Sequence, residues 1–347
     1  MKTFFQSLLL TISLTPAFAS ATMQTLFNEL EREGVLKVEL ELNLDTLEHN
    51  ARTSEEQPAI FRFTDRQGAV QEWSADVNVR GRFRRRVCAF PPIKIDFSKN
   101  DLRARGLLPF DDIKLVTHCQ EGEEGQEAVL REFLAYELYG KLSPMNFRAQ
   151  LVEVTYIDAE SNIRFTKYGI LLEDADELAA RLNSEECEAC YGLEPSQVNP
   201  EAYRTHAMFQ YMIGNTDWSL EMARNLKVMK PLDGGAYWIA PYDFDFSGLV
   251  GAGYALPNND VGQKSVSQRV YMGTKSTRPQ LEESIRHFQS KREEVMACVE
   301  GFTLLSRKSR REITRYLESF YDSLDEEEFL QAAALAPGDA SPVAKSK

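Results

Sequence analysis

Acidic and amide side chains concentrate in two short segments of the second half of the chain. Asp217 lies in the sequence IGNTDWS, and Asn225 begins the apolar run NLKVM shortly after it. Asp243 and Asp245 follow a second apolar run, in the sequence APYDFDFSG. Carboxylates two residues apart at a strand end point to the same side, and carboxylate and amide oxygens suit a hard cation such as Mg²⁺. The spacing predicts a metal site, although it also fits aspartates that only cap turns.

A run of arginines stands out in a chain whose overall charge is negative. Five arginines occur within seven residues, at Arg80, Arg82, Arg84, Arg85 and Arg86. The planar guanidinium matches phosphate or carboxylate, which favours an anion site. A charged edge strand that resists pairing with another sheet explains the run equally well. The 53 acidic and 40 basic residues give a net charge of −13, which argues against a nucleic-acid partner.

The elements that must position these residues divide the chain into two parts. Its 347 residues, 43% of them hydrophobic, are enough to bury a core. Residues 20–175 are strand-rich, with period-two alternation in VLKVELELNL and PIKIDF and one helix that ends before Pro144. Residues 176–335 are mainly helical, and Asn199 with Pro200 marks a capped helix start. Residues 336–347 have the composition of a disordered tail. The order predicts an α+β protein with a cleft between its two parts.

The first residues have the pattern of a secretory signal peptide. Lys2 precedes an apolar run at residues 4–14, and Ala17-Phe18-Ala19 offers a cleavage site. A short buried helix is the alternative. No later segment reaches about 18 consecutive apolar residues, the length that spans a bilayer. We therefore expect cleavage of residues 1–19 and a periplasmic or secreted bacterial protein, with no membrane span in the mature chain.

Five cysteines in an exported chain can form disulfide bonds. Cys88 and Cys119 lie at the edges of two predicted strands and are the first choice for a bridge. Cys187 and Cys190 form a CxxC motif in an acidic loop, without a matching second pair. This favours a local disulfide, or a bridge from one of the two to Cys298, over a zinc or redox site.

In their order and spacing, the motifs of residues 79–248 resemble the spore-coat protein H (CotH) kinase family, an atypical kinase-like group often exported. The resemblance rests on RGRFRRR, FPPIKIDF, LREFLAYEL and YGILLED, followed by IGNTD, RN and PYDFD. It implies an atypical protein-kinase-like bilobal fold, with a strand-rich N-terminal lobe and a mainly helical C-terminal lobe. It also implies Mg²⁺ and ATP as cofactors.

The resemblance further implies roles for the acidic residues. Asp217 would be the catalytic residue that orients or deprotonates an acceptor hydroxyl. Asn225 and either Asp243 or Asp245 would hold the metal. The spacing departs from that of the usual kinase loop, because Asn225 comes eight residues after Asp217 and not five.

The remaining implied roles concern the nucleotide. Lys94 on a strand would contact the phosphates and pair with Glu132 or Glu137 on the following helix, as kinases pair a strand lysine with a helix glutamate. Arg80, in the RG of the arginine run, is a further candidate for this contact. The alternative for Lys94 is an ordinary solvated charge. There is no GxGxxG loop in this part of the sequence.

Three functions are compatible with these residues. The first is Mg²⁺-dependent phosphoryl transfer from a nucleotide to a hydroxyl, on a protein or a small molecule. The second is a non-catalytic envelope module for binding or assembly that keeps the same fold. The third is a metal-dependent hydrolase, which needs the carboxylates but no nucleotide.

Overall fold

The structure, a computed structural model, describes residues 24–51, 53, 55–81, 83–324 and 333. The predicted signal peptide of residues 1–19 and the predicted tail of residues 336–347 lie outside the described residues. Arg82, in the arginine run, also lies outside them.

Seven strands in the described part of the chain close into a barrel. They are β1 (Leu36–Leu42), β2 (Gln57–Thr64), β3 (Val70–Val79), β4 (Ile93–Phe97), β5 (Asp112–Val116), β6 (Ala149–Asp158) and β7 (Arg164–Leu172). Around the barrel they follow the order β1-β2-β3-β4-β5-β7-β6, and β6 pairs with β1 to close it. Neighbouring strands are antiparallel except β1 and β6, which run parallel.

The barrel interior is filled by the apolar side chains of its strands. Buried and more exposed residues alternate along β1, as the period-two pattern predicts. Phe97 meets Phe61 and Trp73 edge to face, at ring-centroid distances of 5.7 Å and 5.9 Å. Such contacts give the barrel a packed core of its own.

The prediction of an atypical protein-kinase-like bilobal fold, with a strand-rich N-terminal lobe and a mainly helical C-terminal lobe, is wrong. The strands form a closed mixed barrel, and helices occur along the whole described chain. The alternation of apolar and polar residues predicts which side chains face inward. It does not predict which strand pairs with each strand edge. Here the parallel pairing of β6 with β1 joins segments more than 100 residues apart. The domain limits 20–175 and 176–335 stay a prediction.

Ten helices are present in the part of the chain that the structure describes. They are α1 (Leu26–Leu30), α2 (Leu44–His49), α3 (Arg84–Val87), α4 (Lys99–Ala104), α5 (Gly122–Leu142), α6 (Ala175–Arg181), α7 (Pro200–Ile213), α8 (Arg278–Ser290), α9 (Arg292–Gly301) and α10 (Arg307–Ser323). The start of α7 is as predicted, because Asn199 accepts the N–H of Ala202 at 3.0 Å. A second core packs α5 against α7, where the rings of Tyr139 and Phe209 lie 4.7 Å apart.

Three further strands form a small antiparallel sheet in the order β10-β9-β8. The last of them along the chain leads into the segment with Asp243 and Asp245. Its strands are β8 (Ser184–Glu186), β9 (Leu226–Pro231) and β10 (Trp238–Pro241). Phe244 follows β10 and is fully buried, with its ring 4.7 Å from that of Tyr136 on α5 and 5.5 Å from that of Phe209 on α7. Because Asp243 and Asp245 flank Phe244, this packing fixes both carboxylates.

Two disulfide bonds form among the described residues. Cys88 pairs with Cys119, which confirms the first choice made from the sequence, and Cys187 pairs locally with Cys190. Cys298 keeps a free thiol. The bonds are compatible with an exported protein. No helix in the described ranges combines the length and the apolar character that crossing a membrane requires.

Candidate functional site

Asp217 is positioned by the end of α7. Gly214 ends that helix in the left-handed region, at φ 68°, and turns the chain into the following loop. The side chain of Asn215 then braces the loop: its Oδ1 accepts the backbone N–H of Asp217 at 2.9 Å, and its Nδ2 donates to Gln210 at 2.9 Å. The backbone of Asp217 is therefore held by a partly buried hydrogen bond from a side chain that is itself fixed by a buried one.

Two neighbours hold the carboxylate of Asp217. The side-chain amide of Asn225 donates to its Oδ2 at 2.9 Å, and Nε of Arg224 lies 3.3 Å from its Oδ1. Burial raises the pKa of Asp217; Arg224 opposes the shift, and the charge of Asp243 adds to it. The structure thus brings together three of the residues predicted from the sequence: Asp217, Asn225 and Asp243.

Asp243 lies directly after β10, in the left-handed region at φ 64°. Its backbone N–H donates to the hydroxyl of Tyr136 on α5 at 2.9 Å. Its carboxylate is about one-third exposed, with a side-chain accessibility of 32%, whereas that of Asp245 is 4%. Asp243 is therefore the accessible member of the pair, and Asp245 is buried.

Arg84, at the start of α3, binds three carboxylates at once. Its Nη2 lies 2.7 Å from Asp243 and 3.2 Å from Glu132, and its Nε lies 2.8 Å from Asp245. The hydroxyl of Tyr254 donates a further bond to Asp245 at 2.9 Å. The guanidinium is almost completely buried, so it neutralises charge where water cannot.

Two of the carboxyls around Arg84, those of Glu132 and Asp245, have raised pKa values. Burial raises the pKa of Glu132 to about 8; Arg84 opposes this shift, and the charges of Asp245 and Asp243 add to it. Burial also raises the pKa of Asp245, again against the effect of Arg84. The guanidinium is shared among three carboxylates and does not offset the burial of Glu132 and Asp245, which explains why protonation of these two is favoured.

A group of basic residues lies within electrostatic reach of this network. Among the residues that the structure describes, no ion pair or hydrogen bond involves the side chain of Lys114 on β5. Burial lowers the pKa of Lys114, although Asp112 opposes the shift. The charges of Arg80 and Lys227 lower the same pKa further, so each lies close enough to Lys114 to repel it. An anion bound near Lys114 would reduce this repulsion.

The basic group extends to the acidic residues through Tyr242. Burial raises the pKa of Tyr242, the charge of Asp243 adds to the shift, and Arg80 and Lys227 oppose it. Lys227 also forms an ion pair with Glu186 on β8. The site therefore combines a partly exposed carboxylate with nearby cations, the pattern expected where a metal and phosphates bind together.

Lys94 lies on a strand, β4, as the sequence predicts, but it does not pair with a glutamate of α5. Its ammonium pairs with Asp96 at 2.8 Å and with Asp112 at 3.6 Å, and neither Glu132 nor Glu137 is among its partners. The side chain that forms an ion pair with Glu132 is Arg84, which belongs to the arginine run. Alternation along β4 could not show this, because a side chain on the expected face still chooses between partners on neighbouring strands.

The residues present fit a divalent cation only in part. In the described ranges, no group of three histidine, cysteine, aspartate or glutamate side chains could hold a metal ion as it stands. Asp243 offers one partly exposed carboxylate, although Arg84 already pairs with it, and the side-chain amide of Asn225 binds the neighbouring Asp217; Asp245 is buried against Arg84 and Tyr254. Mg²⁺ commonly uses one or two protein ligands, phosphate oxygens and water, so the donor set fits Mg²⁺ bound together with a phosphate-bearing ligand.

The contribution of Arg84 was the main feature missed at the sequence level. The arginine run did signal an anion site, and Arg84 does bind carboxylates, but these belong to the protein itself. Lys114 was also missed, since the pattern of β5 shows only that it alternates with apolar neighbours. The sequence did contain a signal for Lys114, because this lysine stands between two strand residues that are buried.

Comparisons with known proteins give only distant structural similarity. No protein-family model and no curated protein sequence matches the chain. Among solved structures, the proinflammatory kinase CtkA of Helicobacter pylori matches with a TM-score of 0.39 and 10% sequence identity, covering 70% of this chain and 92% of that chain. The chain is thus distantly similar to a kinase structure, and membership of the CotH family stays a prediction. Likeness at this level carries no argument about activity, so the function has to be argued from the geometry of the site.

Proposed function

We propose that the chain binds a nucleotide together with Mg²⁺ and transfers its terminal phosphoryl group to a hydroxyl of a protein or a small molecule. The observation that carries this proposal is the setting of Asp217, whose carboxylate is held by Asn225 within electrostatic reach of Asp243. A carboxylate with a raised pKa is a better proton acceptor than an ordinary aspartate. Export by means of residues 1–19 belongs to the same proposal.

Each residue has a defined part in this reaction. Asp217 accepts a hydrogen bond from the acceptor hydroxyl and takes its proton as the new bond to phosphorus forms. The electron pair of the broken bond stays with the leaving oxygen of the nucleotide. Asp243 and Asn225 are the residues that would hold Mg²⁺, which when bound neutralises charge on the phosphate oxygens.

The phosphates have candidate partners in the basic group. Lys114 has no ion pair within the described chain, and Arg80 and Lys227 are close enough to influence its pKa. A phosphate chain would relieve the repulsion among these charges. Lys94 is a weaker candidate than Lys114, because Asp96 and Asp112 already neutralise it.

One observation favours the second candidate, a non-catalytic module for binding or assembly. Arg84 already compensates Asp243 and Asp245, the two predicted metal-binding carboxylates. If Arg84 neutralises these two carboxylates permanently, no metal ion is needed to do so. The two candidates differ in whether a nucleotide with Mg²⁺ binds at all.

Calorimetric titration of ATP, with and without Mg²⁺, distinguishes them. The proposal expects saturable binding that requires Mg²⁺ in the wild type and is lost in Asp243→Asn. The matched control is Asp101→Asn on the exposed surface of α4, which makes the same chemical change away from the site. Asp217→Asn should still bind ATP but lose the transfer of labelled phosphate.

The negative outcomes are equally informative. The wild type contradicts the proposal if it binds no ATP although it is folded, as shown by thermal unfolding that matches that of Asp101→Asn. This result supports the non-catalytic module. Turnover of a phosphate or carboxylate ester that Asp243→Asn abolishes, and that ATP does not affect, would instead support the hydrolase.

A further inference from the structure

A cavity outside the candidate site lies between the barrel and the helices α5 and α9. Its volume is about 610 Å³, within the range of cavities that hold small organic ligands. Leu151 on β6 lines it from the barrel, Phe133 and Glu137 line it from α5, and Phe302 lines it just after α9. None of the described residues that form the candidate site is part of its lining. A ligand bound here would therefore be separate from one bound at the candidate site.

The lining offers aromatic faces and other apolar surface. The rings of Phe133 and Phe302 are half-buried, with centroids 5.8 Å apart and planes inclined by 36°. Leu304, which also lines the cavity, keeps 41% of its surface exposed although its side chain is large and apolar. An apolar ligand would cover this surface, and the ring faces also attract a cation. The apolar part of the lining therefore admits a neutral or a cationic ligand.

One charged group in the lining has no partner. Among the described residues, no ion pair or hydrogen bond involves the side chain of Glu137, which is half-buried. Burial raises the pKa of this carboxyl, the exposed Lys141 opposes the shift, and the charge of Glu31, another residue of the lining, adds to it. A carboxylate that is partly removed from water and left without a hydrogen bond is stabilised by a cation that replaces the lost hydration.

Two arginines that also line the cavity do not neutralise Glu137. The guanidinium of Arg32 donates to three main-chain carbonyls at 3.0–3.4 Å, and that of Arg66 donates to two at 2.5–3.3 Å. Neither charge is among those that shift the pKa of Glu137, whereas the charge of Glu31 is. Because Phe133 and Glu137 lie four residues apart on α5, and so on the same side of the helix, a ligand meets an aromatic ring and a negative charge together.

We propose that this cavity binds a small organic amine in its ammonium form, with the nitrogen at Glu137 and an apolar body against the rings of Phe133 and Phe302. The carboxylate accepts a charge-assisted hydrogen bond from the ammonium group. The rings add a cation–π attraction, and the apolar body covers the exposed part of the lining. A neutral ligand of the same shape has only the last of these contributions, and an anion is repelled.

The test is a calorimetric titration of the purified protein with phenethylammonium, phenethyl alcohol and phenylacetate at about pH 7.5, where an alkyl amine is protonated. The wild type should bind phenethylammonium at least about tenfold more tightly than the alcohol, a difference of about 1.4 kcal/mol, and phenylacetate most weakly. Glu137→Gln keeps the shape and removes the charge, so it should bind the ammonium ion and the alcohol equally. The matched control is Glu293→Gln on the exposed face of α9, which should keep the preference of the wild type.

Cys298 reports whether the ligand occupies this cavity. It lines the cavity, keeps a free thiol, and has a pKa that burial raises to about 11, so it should react slowly with N-ethylmaleimide. Saturating phenethylammonium should slow this reaction further in the wild type, and the same concentration should have little effect in Glu137→Gln, as measured by mass spectrometry of the intact protein.

Three results overturn the proposal: equal affinity of the wild type for the ammonium ion and the alcohol, a preference for the ammonium ion that survives in Glu137→Gln, or tight binding without protection of Cys298. The comparison of the three ligands uses the wild type alone, so it stays decisive even if Glu137→Gln folds poorly. No nucleotide is present in these experiments, and their outcome is independent of whether the protein binds ATP.

Discussion

The side-chain amide of Asn225 donates two hydrogen bonds to Asp217, one to its backbone carbonyl at 2.6 Å and one to its carboxylate at 2.9 Å. Asn225 lies in the left-handed region, at φ 55°, where asparagine is one of the few tolerated side chains. The residue therefore has two functions: it turns the chain into β9, and it orients the carboxylate of Asp217.

We expect Asn225→Asp to raise the pKa of Asp217 and to destabilise the protein at neutral pH. The change replaces a donor with a like charge beside a carboxylate whose pKa burial already raises. Loss of these two partly buried hydrogen bonds should lower the free energy of unfolding by about 1–3 kcal/mol. A carboxylate ¹³C NMR titration and urea denaturation measure the two effects.

The control is Asn183→Asp, which makes the same substitution at an exposed residue that is also in the left-handed region, at φ 50°. Equal loss of stability in both variants would assign the effect to the backbone conformation, and the proposed orienting role of Asn225 would then fail.

Arg84→Met should be strongly destabilising at pH 9 and less so at pH 7. Removing one partner of a buried ion network leaves uncompensated charge and typically costs about 3–5 kcal/mol. Burial raises the pKa of Glu132 to about 8, so at pH 7 this side chain is mostly protonated with or without Arg84, whereas at pH 9 the wild type carries a carboxylate that Arg84 compensates. Guanidinium denaturation at the two pH values measures the difference.

Adding Glu132→Gln to Arg84→Met should recover part of the loss at pH 9, because it removes one of the acidic groups left without a cation. A double variant whose loss is simply the sum of the two single losses would show that Arg84 and Glu132 are not coupled, against the 3.2 Å ion pair.

Local patterns predicted local structure well and long-range contacts poorly. Asn199 and Pro200 identified the start of α7 because a helix cap is made by residues next to each other in sequence. The partners of Arg84 are 48, 159 and 161 residues away, so no periodicity links them. The parallel pairing of β6 with β1, which closes the barrel, is non-local in the same way.

Within the site, the sequence correctly grouped side chains that follow one another closely. Asp217 and Asn225 are close in the structure because a tight loop connects them. The partner of Lys94 could not be predicted, since Asp96 and Asp112 compete with any glutamate of α5 and only the register of β4 and β5 decides between them.

Two glycines of α5 should respond in opposite ways to substitution by alanine. At Gly125 a Cβ would lie 1.7 Å from the carbonyl oxygen of Gln120, so the start of the helix must shift. We expect Gly125→Ala to lower the free energy of unfolding by about 1–3 kcal/mol, as overpacking does. Gln120 follows Cys119, so the same change should disturb the base of the α5 segment that leads to Glu132.

Gly140→Ala is the matched control on the same helix. Its Cβ would have no neighbour closer than 3.8 Å, and alanine is about 0.8–1 kcal/mol more favourable than glycine in a helix interior. Urea denaturation should therefore find Gly140→Ala at least as stable as the wild type. A stable Gly125→Ala would contradict the close approach of Gln120.

Acid should destabilise the protein through His206 on α7. This side chain is fully buried, neither ring nitrogen has a hydrogen-bond partner among the described residues, and its ring lies 4.6 Å from that of Trp218. Burial lowers the pKa of His206 to about 3 from 6.5. Between these two pH values the unfolded state binds a proton that the folded state does not. The stability associated with neutral His206 is thus complete above pH 6.5 and is lost as the pH falls toward 3.

The measurement compares wild type with His206→Leu across this range, using the fluorescence of the three tryptophans to follow unfolding by urea. The difference in unfolding free energy between the two proteins should change by about 1.4 kcal/mol per pH unit below pH 6.5, in favour of the variant. His49→Leu on the exposed face of α2 controls for the loss of a histidine. Because Trp218 follows Asp217 directly, a pH-independent difference would show that His206 can be protonated in place, and that the packing behind the candidate catalytic loop admits water.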